Sequence, residues 1–109
     1  MPANEKPRSR ATHSALRLLG SRIRLARRER GWRIEELAQR VGVSHVTIRK
    51  VEQGAPSVAI GTVFEAAVLV GVPLFHEDLD RLRIEASRVT DRLALLPERI
   101  RSGTPDDAF

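Results

Sequence analysis

Three glycines divide the first half of the chain into short segments, and each segment has apolar residues at the spacing of one helical face. Gly31, Gly42 and Gly54 each follow such a segment. Glycine commonly ends helices because it adopts the left-handed conformation without steric cost. The apolar residues before each glycine recur three or four positions apart, as on one side of a helix. The pattern therefore predicts short amphipathic helices and an all-α fold.

The same spacing continues and predicts five helices, the last of them extended. Predicted helix one covers Ser14 to Arg30, helix two starts at Ile34, helix three follows Ser44, and helix five runs from about Glu77 to Leu96. Helix four is almost wholly apolar, and we expect its apolar residues to be buried against the first three helices. They are Ile60, Val63, Phe64, Ala67, Val68 and Val70.

Composition limits the size and setting of this fold. With 109 residues there is room for one modest core, and without cysteine neither a disulfide nor a thiolate zinc site can form. The longest apolar run, residues 66–75, is far shorter than the roughly 20 residues that span a bilayer. We expect a cytoplasmic protein without a membrane span, organised as a disordered basic arm (1–13), a helical domain (14–75), a C-terminal helix (76–97) and a flexible tail (98–109).

The two halves of the chain differ in charge. Residues 1–53 hold 13 basic and 5 acidic residues, a balance of +8, whereas residues 54–109 hold 6 basic and 9 acidic residues, a balance of −3. A concentrated positive charge favours association with a polyanion. The first half is therefore expected to contact nucleic acid.

Predicted helices two and three are joined by Gly42-Val43, and Ser44 opens the second of them, which is the arrangement of a helix-turn-helix. Ile48 and Val51 must point inward to hold the second helix. The side chains left outside suit the major groove, because they offer hydrogen-bond donors, acceptors and methyl groups to base edges. The predicted base contacts are His45, Val46, Thr47, Arg49 and Lys50, and the predicted backbone contacts are Arg22, Arg33 and Ser44. The alternative is a polar helix face that is merely solvated.

Residues 31–44, with the sequence GWRIEELAQRVGVS, are followed by Ile48, Glu52, Gly54, Ala66-Ala67 and Gly71-Val72-Pro73-Leu74. At these spacings the chain resembles, from about Leu19 to Phe75, the Xre family of phage-repressor-type helix-turn-helix domains. The resemblance implies a five-helix fold like that of the lambda repressor. It also implies that Arg27 and Glu52 form a structural ion pair. We expect double-stranded DNA as the partner and no cofactor.

The start of the second helix departs from the Xre pattern. The family usually has Thr or Ser followed by Gln there, whereas this chain has Arg33 and Ile34. A helix cap and a phosphate donor are both lost by this exchange. Arg33 can replace the phosphate contact by its charge.

The end of the chain has the sequence RLALLPERIR at residues 92–101 and DDAF at residues 106–109. These two segments resemble the corresponding part of antitoxins of the HipB type. That resemblance implies a repressor that binds its own operator and also holds a HipA-like kinase toxin. A stand-alone transcriptional regulator is the alternative. A third possibility is a protein-interaction module that has lost DNA binding through the exchanges at Arg33 and Ile34.

Catalysis would need a nucleophile with a base, paired carboxylates or a metal cluster, and the sequence offers none of these. The three histidines, His13, His45 and His76, fall in a predicted arm, helix and loop. Without cysteine or a neighbouring acidic cluster they are poor metal ligands. We therefore expect no enzyme and no metal site.

An apolar residue recurs at alternating steps of four and three along the last predicted helix, which is a seven-residue repeat. The members are Phe75, Leu79, Leu82, Ala86, Val89, Leu93 and Leu96. One alternative is that this seam packs on the chain's own first and fourth helices, which we expect near Phe75 and Leu79. A helix of about 20 residues extends roughly 30 Å, beyond so small a core. The sequence thus predicts a homodimer on an inverted-repeat operator, with Leu82, Val89, Leu93 and Leu96 at the dimer seam.

Overall fold

The computed structural model describes residues 7–99, and these residues form five α-helices. The helices are α1 (Arg10–Glu29), α2 (Ile34–Val41), α3 (His45–Glu52), α4 (Ile60–Val70) and α5 (Leu79–Ala94). The chain divides into two compact units, Met1–Leu74 and Phe75–Phe109, so that α1 to α4 belong to the first and α5 to the second. The predicted all-α class is confirmed.

Helix α1 begins four residues earlier than the apolar spacing predicts. The Ser9 hydroxyl accepts a hydrogen bond from the backbone N–H of Thr12 at 3.2 Å, which satisfies one of the free donors of the first turn. Residues 10–13 are therefore helical, and the prediction that the disordered arm reaches His13 is wrong for them. Part of the predicted arm, residues 1–6, lies outside the described residues.

Helices α2 and α3 begin and end where the glycines and Ser44 predict. Arg33 precedes α2, and its backbone N–H donates to the Glu36 carboxylate at 3.1 Å. The arginine side chain has no acceptor for the opposite bond, so only this half of a capping box stabilises the start of α2. Gly42 then ends the helix with a φ of +88°.

The core of the first unit lies between α1, α2, α3 and α4. Ile23 of α1, Leu37 of α2 and Ile48 of α3 have no exposed surface. Helix α2 packs against α3 and α4, and α1 packs against the same two helices. This packing fixes the position of α3, whose opposite face remains in solvent.

Gly20 permits the close crossing of α1 and α3. A Cβ atom at this position would lie 2.5 Å from the carbonyl oxygen of Val51 and 2.7 Å from that of Glu52. Both neighbours are backbone atoms of α3, which cannot move aside as a flexible side chain can. A residue larger than glycine would therefore push the two helices apart.

Helix α4 buries only part of its apolar surface, so the prediction that all six apolar residues are buried is wrong. Val63, Ala67 and Val70 are buried, together with Ala66. Ile60 and Val68, however, are 69% and 59% exposed. Val68 lies about 140° around the helix from Val63 on the side away from the core, and Ile60 is the first residue of the helix.

Helix α5, considered by itself, is shorter than predicted and contains no buried residue. The Asp78 carboxylate caps its first turn by accepting the backbone N–H of Asp80 at 2.9 Å. The expected burial of Phe75 and Leu79 is wrong, because these side chains are 83% and 59% exposed. Of the predicted tail, only residues 98 and 99 are described. Among the described helices, none has the length and apolar character needed to cross a membrane.

Candidate nucleic-acid interface

A buried ion pair ties α3 to α1. The Nε of Arg27 donates to Oε2 of Glu52 at 2.6 Å, and Nη2 donates to Oε1 at 3.0 Å. The remaining amine of Arg27 donates to the carbonyl oxygen of Trp32 at 2.7 Å, so the turn before α2 is held as well. Both partners are at least nine-tenths buried, and the bidentate geometry satisfies their polar atoms. The guanidinium of Arg27 is thus used inside the fold.

The first turn of α3 is fixed by Ser44. The Ser44 hydroxyl oxygen accepts the backbone N–H of Thr47 at 3.2 Å and lies 3.1 Å from the Thr47 hydroxyl. Such a cap holds the helix start in one conformation. The two hydroxyl groups therefore lie together at the end of α3 that a DNA groove would receive.

The outer side of α3 is polar and accessible. His45, Arg49 and Lys50 are exposed and Thr47 is half-buried. Val46 has 47% of its surface exposed and is the aliphatic residue of this polar face. The structure therefore leaves the predicted base contacts available to a ligand.

These predicted contacts do not all point in one direction. At about 100° per residue, Val46 and Lys50 lie opposite the buried Ile48. Thr47 and Arg49 lie on the two flanks, about 160° from each other. The groove-facing surface is thus centred on Val46 and Lys50, and Arg49 faces the side of α3 next to α1.

On that side, arginines from α1 and α3 line one depression. Its lining comprises Arg24, Arg27, Arg28, Ile34, Arg49, Glu52 and Gln53. Arg24, Arg28 and Arg49 are exposed, and within residues 7–99 none of them forms a salt bridge. Three guanidinium groups without a carboxylate partner create a positive field that suits a phosphate oxygen.

A family model described as a helix-turn-helix domain matches residues 18–82, more than half of the chain. The protein belongs to this helix-turn-helix family. In this chain α2 and α3 form the helix-turn-helix. The match to the family model continues through α4 into the first turn of α5. No curated protein and no solved structure matches the chain.

The sequence reasoning missed Arg24 and Arg28 as members of this helix-turn-helix surface. They lie four residues apart on one face of α1, and that spacing was the available signal. Arg22, the contact on α1 that the sequence predicts, lies about 160° around the helix from Arg24 and does not line the depression. Arg33 is exposed at the start of α2, next to Ile34, which lines the depression.

Trp32 also escaped the sequence reasoning. The guanidinium carbon of Arg40 lies 4.2 Å from the centre of the Trp32 ring, and that of Arg30 lies 5.3 Å from it. Cation–π contacts of this kind stabilise a side chain that is only half-buried. The ring thus holds the turn between α1 and α2, which positions the start of α2 beside the depression.

Proposed function

We propose that this protein is a sequence-specific DNA-binding transcriptional repressor in which α3 enters the major groove. The observation that carries the proposal is the arrangement of α3. Its inner face is locked by Ile48 and by the Arg27–Glu52 pair, while Val46 and Lys50 project from its outer face. A rigid helix with donors and methyl groups on its outer face is the element that reads base edges. The protein would then act in the cytoplasm, where its DNA lies.

The geometry suggests a division of contacts. We assign base contacts to Val46 and Lys50 on the outer face of α3 and to Thr47 on one flank. His45 joins them as the exposed first residue of the helix. Ser44 caps that helix beside the phosphate backbone. Arg49 lines the depression with Arg24 and Arg28, so a phosphate is favoured there over the base contact that the sequence predicts. Arg33 and Arg22 remain proposed backbone contacts at other positions.

Binding measured at several salt concentrations tests this division. Each phosphate contact removed should lower the slope of log K against log salt by about 0.9 and weaken all sequences alike. We expect this of Arg24→Ala, Arg28→Ala and Arg49→Ala. Lys50→Ala should instead reduce the advantage of the operator over random DNA, by about tenfold to a hundredfold for one good base contact.

Arg81→Ala is the matched control, since Arg81 is exposed on α5, does not line the depression and lies off the predicted dimer seam. It should leave both the slope and the preference unchanged. If Arg49→Ala reduced the preference for the operator but left the slope of log K against log salt unchanged, Arg49 would contact a base and not a phosphate. Absence of any DNA binding by the unaltered protein would overturn the proposal and favour a protein-interaction module.

We further propose a homodimer that binds an inverted-repeat operator. Support comes from the exposed apolar seam of α5, where Val89 and Leu93 are 50% and 63% exposed. Two copies of α3 would meet half-sites about 34 Å apart. Replacement of both residues by Asp should give a monomer in sedimentation and weaken operator binding strongly. A dimer that persists in this variant would place the dimer interface elsewhere.

A second candidate function, that of a HipB-like antitoxin, is favoured by the surface after α5. Leu95 lies off the seam and is 84% exposed, within the segment that resembles HipB-type proteins. Contiguous exposed apolar patches mark sites of protein association, and Leu95 adjoins Leu96, which is 61% exposed. The partner would be a HipA-like kinase toxin. The tail that ends in Phe109, on which the sequence prediction also depends, lies outside the described residues.

Co-expression with the product of a neighbouring kinase-like gene tests the antitoxin role. We expect the two proteins to co-purify, and we expect Leu95→Asp or deletion of residues 102–109 to weaken the complex while operator binding persists. Asp91→Asn, an exposed exchange on α5, serves as the control. A purification that recovers no kinase, with that gene expressed, leaves a stand-alone Xre-type regulator.

A further inference from the structure

The apolar seam of α5 has an order that is nearly the same in both directions. From Leu79 to Leu96, which lies two residues beyond the end of α5, the residues are Leu, Leu, Ala, Val, Leu and Leu, at positions 79, 82, 86, 89, 93 and 96. None of the residues of α5 is buried, and Leu79, Val89, Leu93 and Leu96 each expose at least half of their surface. A second copy of the helix can cover this seam in either direction, and the two directions place different residues opposite each other.

Packing across the seam favours the antiparallel direction. In an antiparallel pair, Leu82 lies opposite Leu93 of the second copy, and Ala86 lies opposite Val89 of the second copy. In a parallel pair each residue faces itself, so two small Ala86 side chains meet in one layer and two Val89 side chains meet in the next. Facing a small residue with a larger one keeps the spacing of the helices even and leaves no void.

The charged residues that flank the seam give a second, independent argument. An antiparallel pair places Glu85 next to Arg92 of the second copy, and symmetry repeats this contact. A parallel pair places Glu85 next to Thr90 and Arg92 next to Pro97, with no charge pairing at either. Its one opposite-charge contact would join Asp78 and Arg83, yet the Asp78 carboxylate caps α5 through the N–H of Asp80 at 2.9 Å. Glu85 is less constrained, because its ion pair with Arg88 is exposed and 3.9 Å long. Charges at these flanking positions set the orientation of paired helices.

We infer that two copies of this protein pair through antiparallel α5 helices, with Ala86 against Val89 of the second copy and Glu85 beside Arg92 of the second copy. This inference rests on the proposed homodimer and adds its orientation. The twofold axis is then perpendicular to α5 and crosses it at the level of Ser87 and Arg88. The apolar groove lined by Val89, Arg92, Leu93 and Leu96 receives Ala86, Leu82 and Leu79 of the second copy.

Cross-linking can distinguish the two orientations because the chain has no cysteine of its own. Leu82→Cys and Leu93→Cys are prepared as separate full-length proteins and treated with a short bis-maleimide reagent, alone and mixed after re-equilibration. Positions 82 and 93 are separated by about 16 Å along the helix. Antiparallel pairing predicts cross-linked dimers in the mixture and few in either protein alone. Cross-linking of each protein alone and little between the two would overturn the inference.

Charge exchange provides a measurement that keeps the seam intact. Glu85→Arg or Arg92→Glu alone places like charges together twice and should weaken the dimer about tenfold, whereas the double variant should restore its dissociation constant. Arg81→Glu and Asp91→Arg make the same changes of charge away from the flanking positions and should have little effect. Single and double variants that dimerise alike would exclude the Glu85–Arg92 contact. DNA binding is measured separately, so a protein that dimerises as inferred but binds no DNA fails only the proposed function.

Discussion

Helices α3 and α5 are both amphipathic, yet only α3 has its apolar face buried. Ile48 of α3 has no exposed surface, and Val51 retains 2%. On α5, with the same kind of spacing, Val89 is 50% exposed and Leu93 63% exposed. Periodicity in a sequence therefore identifies which face of a helix is apolar, but it does not identify what covers that face.

The difference also predicts how residue replacements in the two helices affect stability. A residue of the buried side of α3 contacts the core and a charged pair, so its replacement should affect folding at any protein concentration. A residue of the α5 seam should affect stability only where a second copy is bound, because mass action couples folding to association. Three exchanges, ordered by the size of the expected effect, test this comparison.

Glu52→Gln should have the largest effect. It removes the charge partner of Arg27 and leaves a buried guanidinium uncompensated, which costs about 3–5 kcal/mol in comparable buried pairs. The control is Glu85→Gln on α5, where Glu85 lies 3.9 Å from Arg88 and both side chains are about half exposed or more. An exposed pair contributes about 0–1 kcal/mol. Urea unfolding of both variants, at protein concentrations where the chain is monomeric, measures the two changes in unfolding free energy. Equal changes would mean that the buried pair stabilises the fold no more than the exposed pair.

Leu37→Ala should come next. Leu37 is fully buried, and its truncation leaves a cavity that costs about 2–5 kcal/mol. Leu93→Ala is the same exchange on α5 and should change the free energy of unfolding little at concentrations where the chain is monomeric. At higher concentration its effect should grow. If Leu93→Ala lowered the free energy of unfolding as much as Leu37→Ala at every protein concentration, the α5 seam would be covered within one chain and not by a second copy.

Gly20→Ala should have a smaller but definite effect. The added Cβ meets the α3 backbone at 2.5 Å, and overpacking of this kind costs about 1–3 kcal/mol. Gly61→Ala in α4 is the matched control, since no atom lies within 4 Å of a Cβ built there. It should stabilise the protein by about 0.5–1 kcal/mol, because alanine is the better helix former. The midpoint temperature of thermal unfolding should therefore fall for Gly20→Ala and rise for Gly61→Ala. A higher midpoint for Gly20→Ala would mean that α1 and α3 can move apart without loss of stability.

Local rules predicted most of the fold of the first unit. The ends of α2 and α3 follow from Gly42, Ser44 and Gly54, whose backbone preferences act over one or two residues. The start of α1 also has a local cause, because the Ser9 hydroxyl caps the helix four residues before its apolar spacing begins. In α4 the apolar composition concealed the true inner face, since Val68 is as hydrophobic as the buried Val63.

The candidate site was predicted less completely. Sequence spacing identified the helix-turn-helix and the exposed positions of α3, because outward and inward residues alternate with the helical period. It could not identify the depression lined by Arg24, Arg28 and Arg49, since the residues of α1 and α3 are about 20 positions apart in the chain.

What the sequence determined by itself is the kind and order of the helices, the polar outer face of α3 and the apolar seam of α5. These features depend on residues within a few positions of one another. The resemblance already implied the Arg27–Glu52 ion pair, which the structure confirms. Only the tertiary structure decided that Arg27 also donates to the Trp32 carbonyl, that Gly20 admits the backbone of α3, and that Arg49 faces α1. The physical reason is that such contacts depend on the angle and distance at which helices cross, and these are set by the packing of the whole core.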